Sequence, residues 1–138
     1  MFLKLLTRQF ERLPASIRLN SSEAISKLEV NLNKYRQASD STLEELSDKL
    51  DSILENRFDS GADVSLNNGV LTAVIDENNT YVINKQTPNR QIWLSSPVSG
   101  PKRFDLVSDR WIEKHTNTEM RKLLSEELSK LLKERIEL

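Results

Sequence analysis

Asp40, Glu44, Asp48, Asp51 and Glu55 follow one another at intervals of 4, 4, 3 and 4 residues. At about 100° per residue these five acids fall in one helix sector, less than a quarter-turn wide. The apolar residues of the same segment centre elsewhere on the wheel, so the acids face away from the core. Like charges one turn apart repel by about a few tenths of a kcal/mol per pair. The row is therefore either a plain solvated face or an attractor of cations or of a basic partner. Carboxylates alone suit hard, weakly held ions: Ca²⁺, Mg²⁺, Mn²⁺ and iron. An exposed row without His or Cys gives low affinity and fast exchange, which describes a loading surface and not a buried catalytic centre. Asp59 and Asp63 extend the patch toward the first strand.

A second stretch, NKQTPNRQIWLSSPVSGPKRF at residues 84–104, has no acid, four basic residues, four amides, three prolines and Trp93. Strand alternation puts Gln91, Trp93 and Ser95 on one face and Ile92 and Leu94 on the other. If Ile92 and Leu94 face the core, Trp93 faces solvent, and a tryptophan flanked by amides and arginines has the composition of an interface hot spot. The acid-free run and the acidic stripe then form two faces of opposite sign. Lys85, Arg90, Lys102 and Arg103 beside an acidic ridge make a poor phosphate footprint, so no nucleic-acid partner is expected.

The chain has no cysteine and a single histidine, His115. That excludes disulfides, thiolate metal sites and cysteine nucleophiles, along with any multi-histidine centre. No apolar run approaches the ~20 residues that span a bilayer, so no membrane insertion is expected. Residues 1–22 carry Lys4, Arg8, Arg12 and Arg18 against one acid, Glu11, within a chain of net charge −1. This arginine-rich, acid-poor and amphipathic segment reads as a mitochondrial targeting presequence, cleaved between Arg18 and Ser22. The alternative is an ordinary N-terminal helix of the fold. Residues 23–138 are then one small domain with a modest core.

These groups need elements to position them. Leu28, Leu32, Tyr35, Leu43, Leu46, Leu50, Ile53 and Leu54 mark an amphipathic helix from about Leu28 to Glu55, with Ser26 and Glu29 as a possible capping box. Short strands follow at 64–66, 70–75, 80–83, 91–95, 103–106 and 110–113, the first two joined by an Asn/Gly turn. Brief connections favour an antiparallel meander. Thr116 and Glu119 form a capping box opening a last helix, whose stripe is Met120, Leu123, Leu124, Leu128, Leu131 and Leu132. Next to Ile112, Trp111 is expected in the core, and His115 in a surface turn. The order helix, strands, helix predicts an α+β fold, a two-layer sandwich with both helices on one face of one antiparallel sheet.

The segment TYVINKQTPNRQIWLSSPVSGPKRFD at 80–105, followed by Trp111, closely resembles the signature of the frataxin family. The resemblance runs in one colinear pass over residues 32–133 and includes DVSLNNGVLTAVI at 63–75. It implies a frataxin-like sandwich in the mitochondrial matrix or in a mitochondrion-derived organelle. It also implies weak surface binding of Fe²⁺ or Fe³⁺ by Asp40, Glu44, Asp48, Asp51, Glu55 and Asp63, with no haem or iron–sulfur cluster of its own. Two positions often acidic in relatives are Ser41 and Ser52 here, a thinner ridge that argues more against iron storage than against docking. The implied partners are the cysteine desulfurase complex and its iron–sulfur scaffold protein, met through Asn84, Gln86, Gln91, Trp93 and Arg103. The implied role is a non-enzymatic activator of sulfur transfer, monomeric when free. The alternative is an iron chaperone that delivers Fe²⁺ and oxidises it with O₂ as a weak ferroxidase.

Overall fold

A computed structural model describes residues 21–138. The expected presequence lies outside the described residues except for Ser21 and Ser22. The chain divides into two compact units, Met1–Lys34 and Tyr35–Leu138. In the first unit the described residues are helical and open the helix α1 (Ser21–Leu54). This helix starts well before the Ser26–Glu29 box, so that box does not mark its N-terminus. No helix among the described residues is long and apolar enough to cross a membrane.

In the second unit α1 continues to Leu54 and tightens into a 3₁₀ turn, Glu55–Ser60, which Gly61 ends at φ 96°. There the Gly61 N–H reaches back to the Phe58 carbonyl, a conformation that a Cβ would disfavour. A seven-stranded antiparallel meander follows: β1 (Asp63–Asn67), β2 (Val70–Asp76), β3 (Asn79–Gln86), β4 (Gln91–Ser96), β5 (Gly100–Val107), β6 (Arg110–Glu113) and β7 (Thr118–Glu119). Each strand pairs with its sequence neighbour, and α2 (Met120–Leu132) closes the unit. The Asn68-Gly69 turn has positive φ at both residues, the conformation that matches the twist of a tight hairpin.

The core lies between one face of the sheet and the two helices. Leu71, Ala73, Tyr81, Ile83, Ile92, Leu94, Phe104 and Trp111 point to it from the strands, and each is at most 4% exposed. Tyr35, Leu43, Leu46, Leu50 and Leu54 meet them from α1; Met120, Leu124, Leu128 and Leu132 meet them from α2. Leu123, Leu131 and Ile53 are only half-buried. Burying each large aliphatic side chain contributes about 1.5–3 kcal/mol. Between Tyr35 and Leu43 the buried stripe of α1 runs through Ser39 and Thr42, polar residues with local uses. Ser39 Oγ donates to the Arg36 carbonyl, and Thr42 Oγ1 accepts the Trp111 indole N–H at 2.9 Å. Trp111 also packs edge-on against the Tyr35 ring, so its core position is as expected.

The C-terminal region differs from the expected capping box. Thr118 and Glu119 pair with β6 as a seventh strand, and α2 starts at Met120 with no side-chain cap. The carboxylate of Glu113 instead organises the preceding turn. It accepts the His115 and Thr116 N–H groups and the Thr116 hydroxyl. Those donors hold its carboxyl below the usual carboxylate range, the Thr116 hydroxyl most of all. His115 is exposed in that turn.

One buried carboxylate joins α2 to the sheet. Glu127, 6% exposed, accepts the Tyr81 hydroxyl at 2.9 Å and the Ser96 hydroxyl at 2.6 Å, both through Oε2. Ser96 Oγ accepts in turn the N–H groups of Val98 and Ser99, which shapes the β4–β5 hairpin. Burial first, and then the bond to Glu127, raises the Tyr81 phenol well above its ordinary value. The folded chain therefore keeps a proton that the unfolded chain releases near pH ~10. This stabilisation is complete below that pH and is lost as pH rises toward the folded value. Denaturant melts at a series of pH values above about 10 should show stability falling with pH, and falling less steeply in Tyr81→Phe.

Candidate functional site

Among the described residues helices cover only one face, so the other face of the sheet presents every second strand residue outward. Register fixes which ones meet. Asn84 of β3, Trp93 of β4 and Arg103 of β5 are direct cross-strand partners in one row. Gln86, Gln91 and Asp105 form the next row on the same face. All five residues expected at a partner surface are thus brought together within three adjacent strands.

Their side chains are mutually ordered. The Trp93 indole N–H donates to Gln91 Oε1 at 2.9 Å, and Gln91 Nε2 donates to Asp105 Oδ1 at 3.1 Å. The Arg103 guanidinium lies 4.6 Å from the centroid of the Trp93 ring, a cation–π contact worth about 0.5–1 kcal/mol where water reaches it. Asn84 Nδ2 reaches the Lys85 carbonyl and Gln86 Oε1. Trp93 faces away from the core, as alternation requires, but is half-buried and not free in solvent, with Arg103 over its ring. A shallow cleft of about 730 Å³ opens beside it, walled by Trp93, Arg103, Asp105, Glu113 and His115. Lys114 bridges to Asp105 Oδ2 at 3.5 Å. Asp105 was not among the expected site residues, although its place two residues beyond Arg103 on the same strand puts it on the same face.

The helix side anchors this surface from behind. Tyr35 of α1 donates its hydroxyl to the backbone carbonyl of Gln91 at 2.8 Å. Burial raises the Tyr35 phenol above its ordinary value, so it stays a donor.

The acids occupy the solvent side of α1 and its continuation. Asp40, Glu44, Asp48 and Asp51 are exposed on the helix, Glu55 is exposed in the 3₁₀ turn, and Asp63 is exposed at the start of β1. No three acidic or histidine side chains among the described residues converge closely enough to hold a metal ion. The ridge suits single-carboxylate contacts to hydrated ions and not an enclosed cage. Its separation from the acid-free run is incomplete: Lys85 turns to the helix side of β3, and its Nζ sits 2.5 Å from Asp40 Oδ1. The Lys85 chain passes over Gly69, where a Cβ would come within 2.9 Å of it. Glu45, off the stripe, pairs with Arg121 of α2 at 2.7 Å.

Residues 28–134 match the family model of the frataxin-like domain. The chain belongs to the frataxin family. It is 44% identical over 105 residues to the mitochondrial frataxin homologue of Saccharomyces cerevisiae, covering 76% of this chain and 60% of that protein. It is 48% identical over 103 residues to mitochondrial frataxin of Caenorhabditis elegans, covering 72% of this chain and 76% of that one. It thus spans 60% of the yeast relative's length, less than two thirds. The relatives are mitochondrial by name, and this frataxin-family chain is mitochondrial with them. Among solved structures it is similar to trimeric yeast frataxin complexed with ferrous, with a TM-score of 0.63 at 43% identity over 70% of this chain and 87% of that one. A frataxin from Psychromonas ingrahamii, at 23% identity and a TM-score of 0.62, shares the fold.

Removing the Tyr35 hydroxyl leaves the Gln91 carbonyl without this donor. Tyr35→Phe should cost about 1–2 kcal/mol in urea melts, whereas Asp40→Asn, which breaks an exposed ion pair, should cost under ~1 kcal/mol.

Proposed function

We propose that this frataxin-family chain is an iron-binding, non-enzymatic activator of mitochondrial iron–sulfur cluster assembly, promoting sulfur transfer from the cysteine desulfurase to the scaffold protein. One observation carries the reading: Asn84, Trp93 and Arg103 form a continuous, internally ordered row on the uncovered face of the sheet. A half-buried tryptophan held by a hydrogen bond and a cation contact loses little freedom on docking, which is how an interface anchor gains affinity. Trp93, Arg103, Asn84, Gln86 and Gln91 meet the scaffold. The acids Asp40, Glu44, Asp48, Asp51, Glu55 and Asp63 take Fe²⁺ weakly and attract basic surface of the desulfurase, an attraction that salt screens. Residues 1–22 serve as the targeting presequence, residues 23–138 act in the matrix, and the free protein is a monomer.

A second reading is an iron chaperone that delivers Fe²⁺ and can oxidise it. One observation favours it, the similarity to a trimeric yeast frataxin structure complexed with ferrous. The exposed, non-converging acids support transient loading better than a two-iron oxidation centre, which encloses its metals in Glu and His ligands.

Reconstituted desulfurase and scaffold separate the two. With Trp93→Ala, persulfide transfer should lose its stimulation, with roughly thirtyfold weaker docking and unchanged ferrous binding by calorimetry. Full stimulation by that variant contradicts the activator reading. The triple variant Asp40→Asn, Glu44→Gln and Asp48→Asn should weaken ferrous binding and flatten the salt dependence of docking, with persulfide transfer still responsive at high protein concentration.

A further inference from the structure

The docking reading uses Trp93 and its row but leaves Asp105 and Lys114 without a role. Trp93 can only donate through its indole nitrogen, so it needs an acceptor. Gln91 supplies one, but a glutamine amide can turn either its oxygen or its NH₂ toward the ring. Only the first orientation satisfies the indole. The neighbouring row decides between them. An ionised carboxylate accepts and cannot donate, so Asp105 Oδ1, 3.1 Å from Gln91 Nε2, draws the NH₂ to itself and leaves the oxygen facing Trp93. Lys114 takes the other oxygen, Oδ2, and leaves Oδ1 to Gln91. The backbone of Gln91 is pinned by the Tyr35 hydroxyl, so its side chain starts from a fixed point. The chain of contacts therefore runs Lys114, Asp105, Gln91, Trp93, with Arg103 over the ring.

We propose that Asp105 is a positioning residue of the docking surface: its carboxylate sets the Gln91 amide so that the Trp93 indole is held ready beneath Arg103 before any partner arrives. This rests on the docking reading given above. Asp105 acts through Gln91 and contacts no partner. Without it the amide turns freely, the indole loses its fixed acceptor, and the ring must be ordered on binding. Ordering one such side chain weakens docking by about two- to tenfold.

The test uses the full chain, labelled with ¹⁵N, as wild type, Asp105→Ala and Asp105→Asn, with Trp93→Ala to assign the two indole signals. Asp105→Ala should move the Trp93 indole N–H resonance and leave that of Trp111, which is bonded to Thr42, in place. The same variant should dock on the reconstituted desulfurase–scaffold complex about two- to tenfold more weakly at an unchanged melting temperature. Asp105→Asn replaces an acceptor-only carboxylate by an amide that can also donate to the Gln91 oxygen, so it should leave the glutamine unset, move the Trp93 indole resonance and weaken docking much as Asp105→Ala does. A Trp93 resonance that stays put in Asp105→Ala overturns the proposal. So does a docking loss without that movement, because the carboxylate then touches the partner directly. An Asn variant that matches wild type in both indole position and docking also overturns it, because an acceptor-only group is then not what sets the amide. Normal docking by Trp93→Ala is a different failure: it removes the docking reading itself, while the indole shift still decides whether Asp105 positions the ring.

Discussion

A β-strand sends successive side chains to opposite faces, and among the described residues only one face of the sheet is covered by helices. Those two facts determine most of what the molecule can do. Ile92 and Leu94 are buried against the helices, so Gln91, Trp93 and Ser95 must turn the other way. Antiparallel register then aligns Trp93 with Asn84 on one side and Arg103 on the other. A slip of one residue would bury the polar row and expose the core, which makes the register of β4 a tightly specified feature of the fold. The outer surface is in this sense a by-product of core packing, and it is the face proposed here for docking.

The helices do more than fill the inner face. Tyr35 reaches through the layer to the backbone of Gln91, Thr42 holds Trp111, and Glu127 ties Tyr81 and Ser96 to α2. Each is a polar bond inside an apolar layer, where a donor or acceptor left unmatched is costly. They fix the strands in place while the acids of α1 face water. The two candidate surfaces, acidic ridge and outer sheet, are therefore mechanically linked through residues that neither surface displays. Lys85 links them electrostatically as well, because it leaves the acid-free run to pair with Asp40.

Period-based features were legible in the sequence. Steps of three and four located both helices, alternation oriented Trp93, and Asn68-Gly69 marked its hairpin, because each signal is local. What was missed depends on tertiary context. Ser39 and Thr42 interrupt the apolar pattern of α1 yet are buried, since one satisfies its own helix and the other receives an indole from β6. The Thr116–Glu119 pattern fits a capping box, but Glu113 captures Thr116 and the free edge of β6 takes Thr118 and Glu119 into a strand. Asp105 needed only the alternation rule carried two residues past Arg103, but its bond to Gln91 depends on the register between β4 and β5.

The central idea, that the uncovered sheet face is where the assembly machinery binds, is open to direct mapping. Amide resonances and exchange rates of the ¹⁵N-labelled chain can be compared with and without the desulfurase–scaffold complex. Docking through the outer face predicts the largest shifts and the strongest added protection around Asn84, Trp93 and Arg103, with the Trp93 indole among the most affected signals and Trp111 little changed. A footprint confined to the acids of α1, with the β3–β5 face untouched, would contradict it.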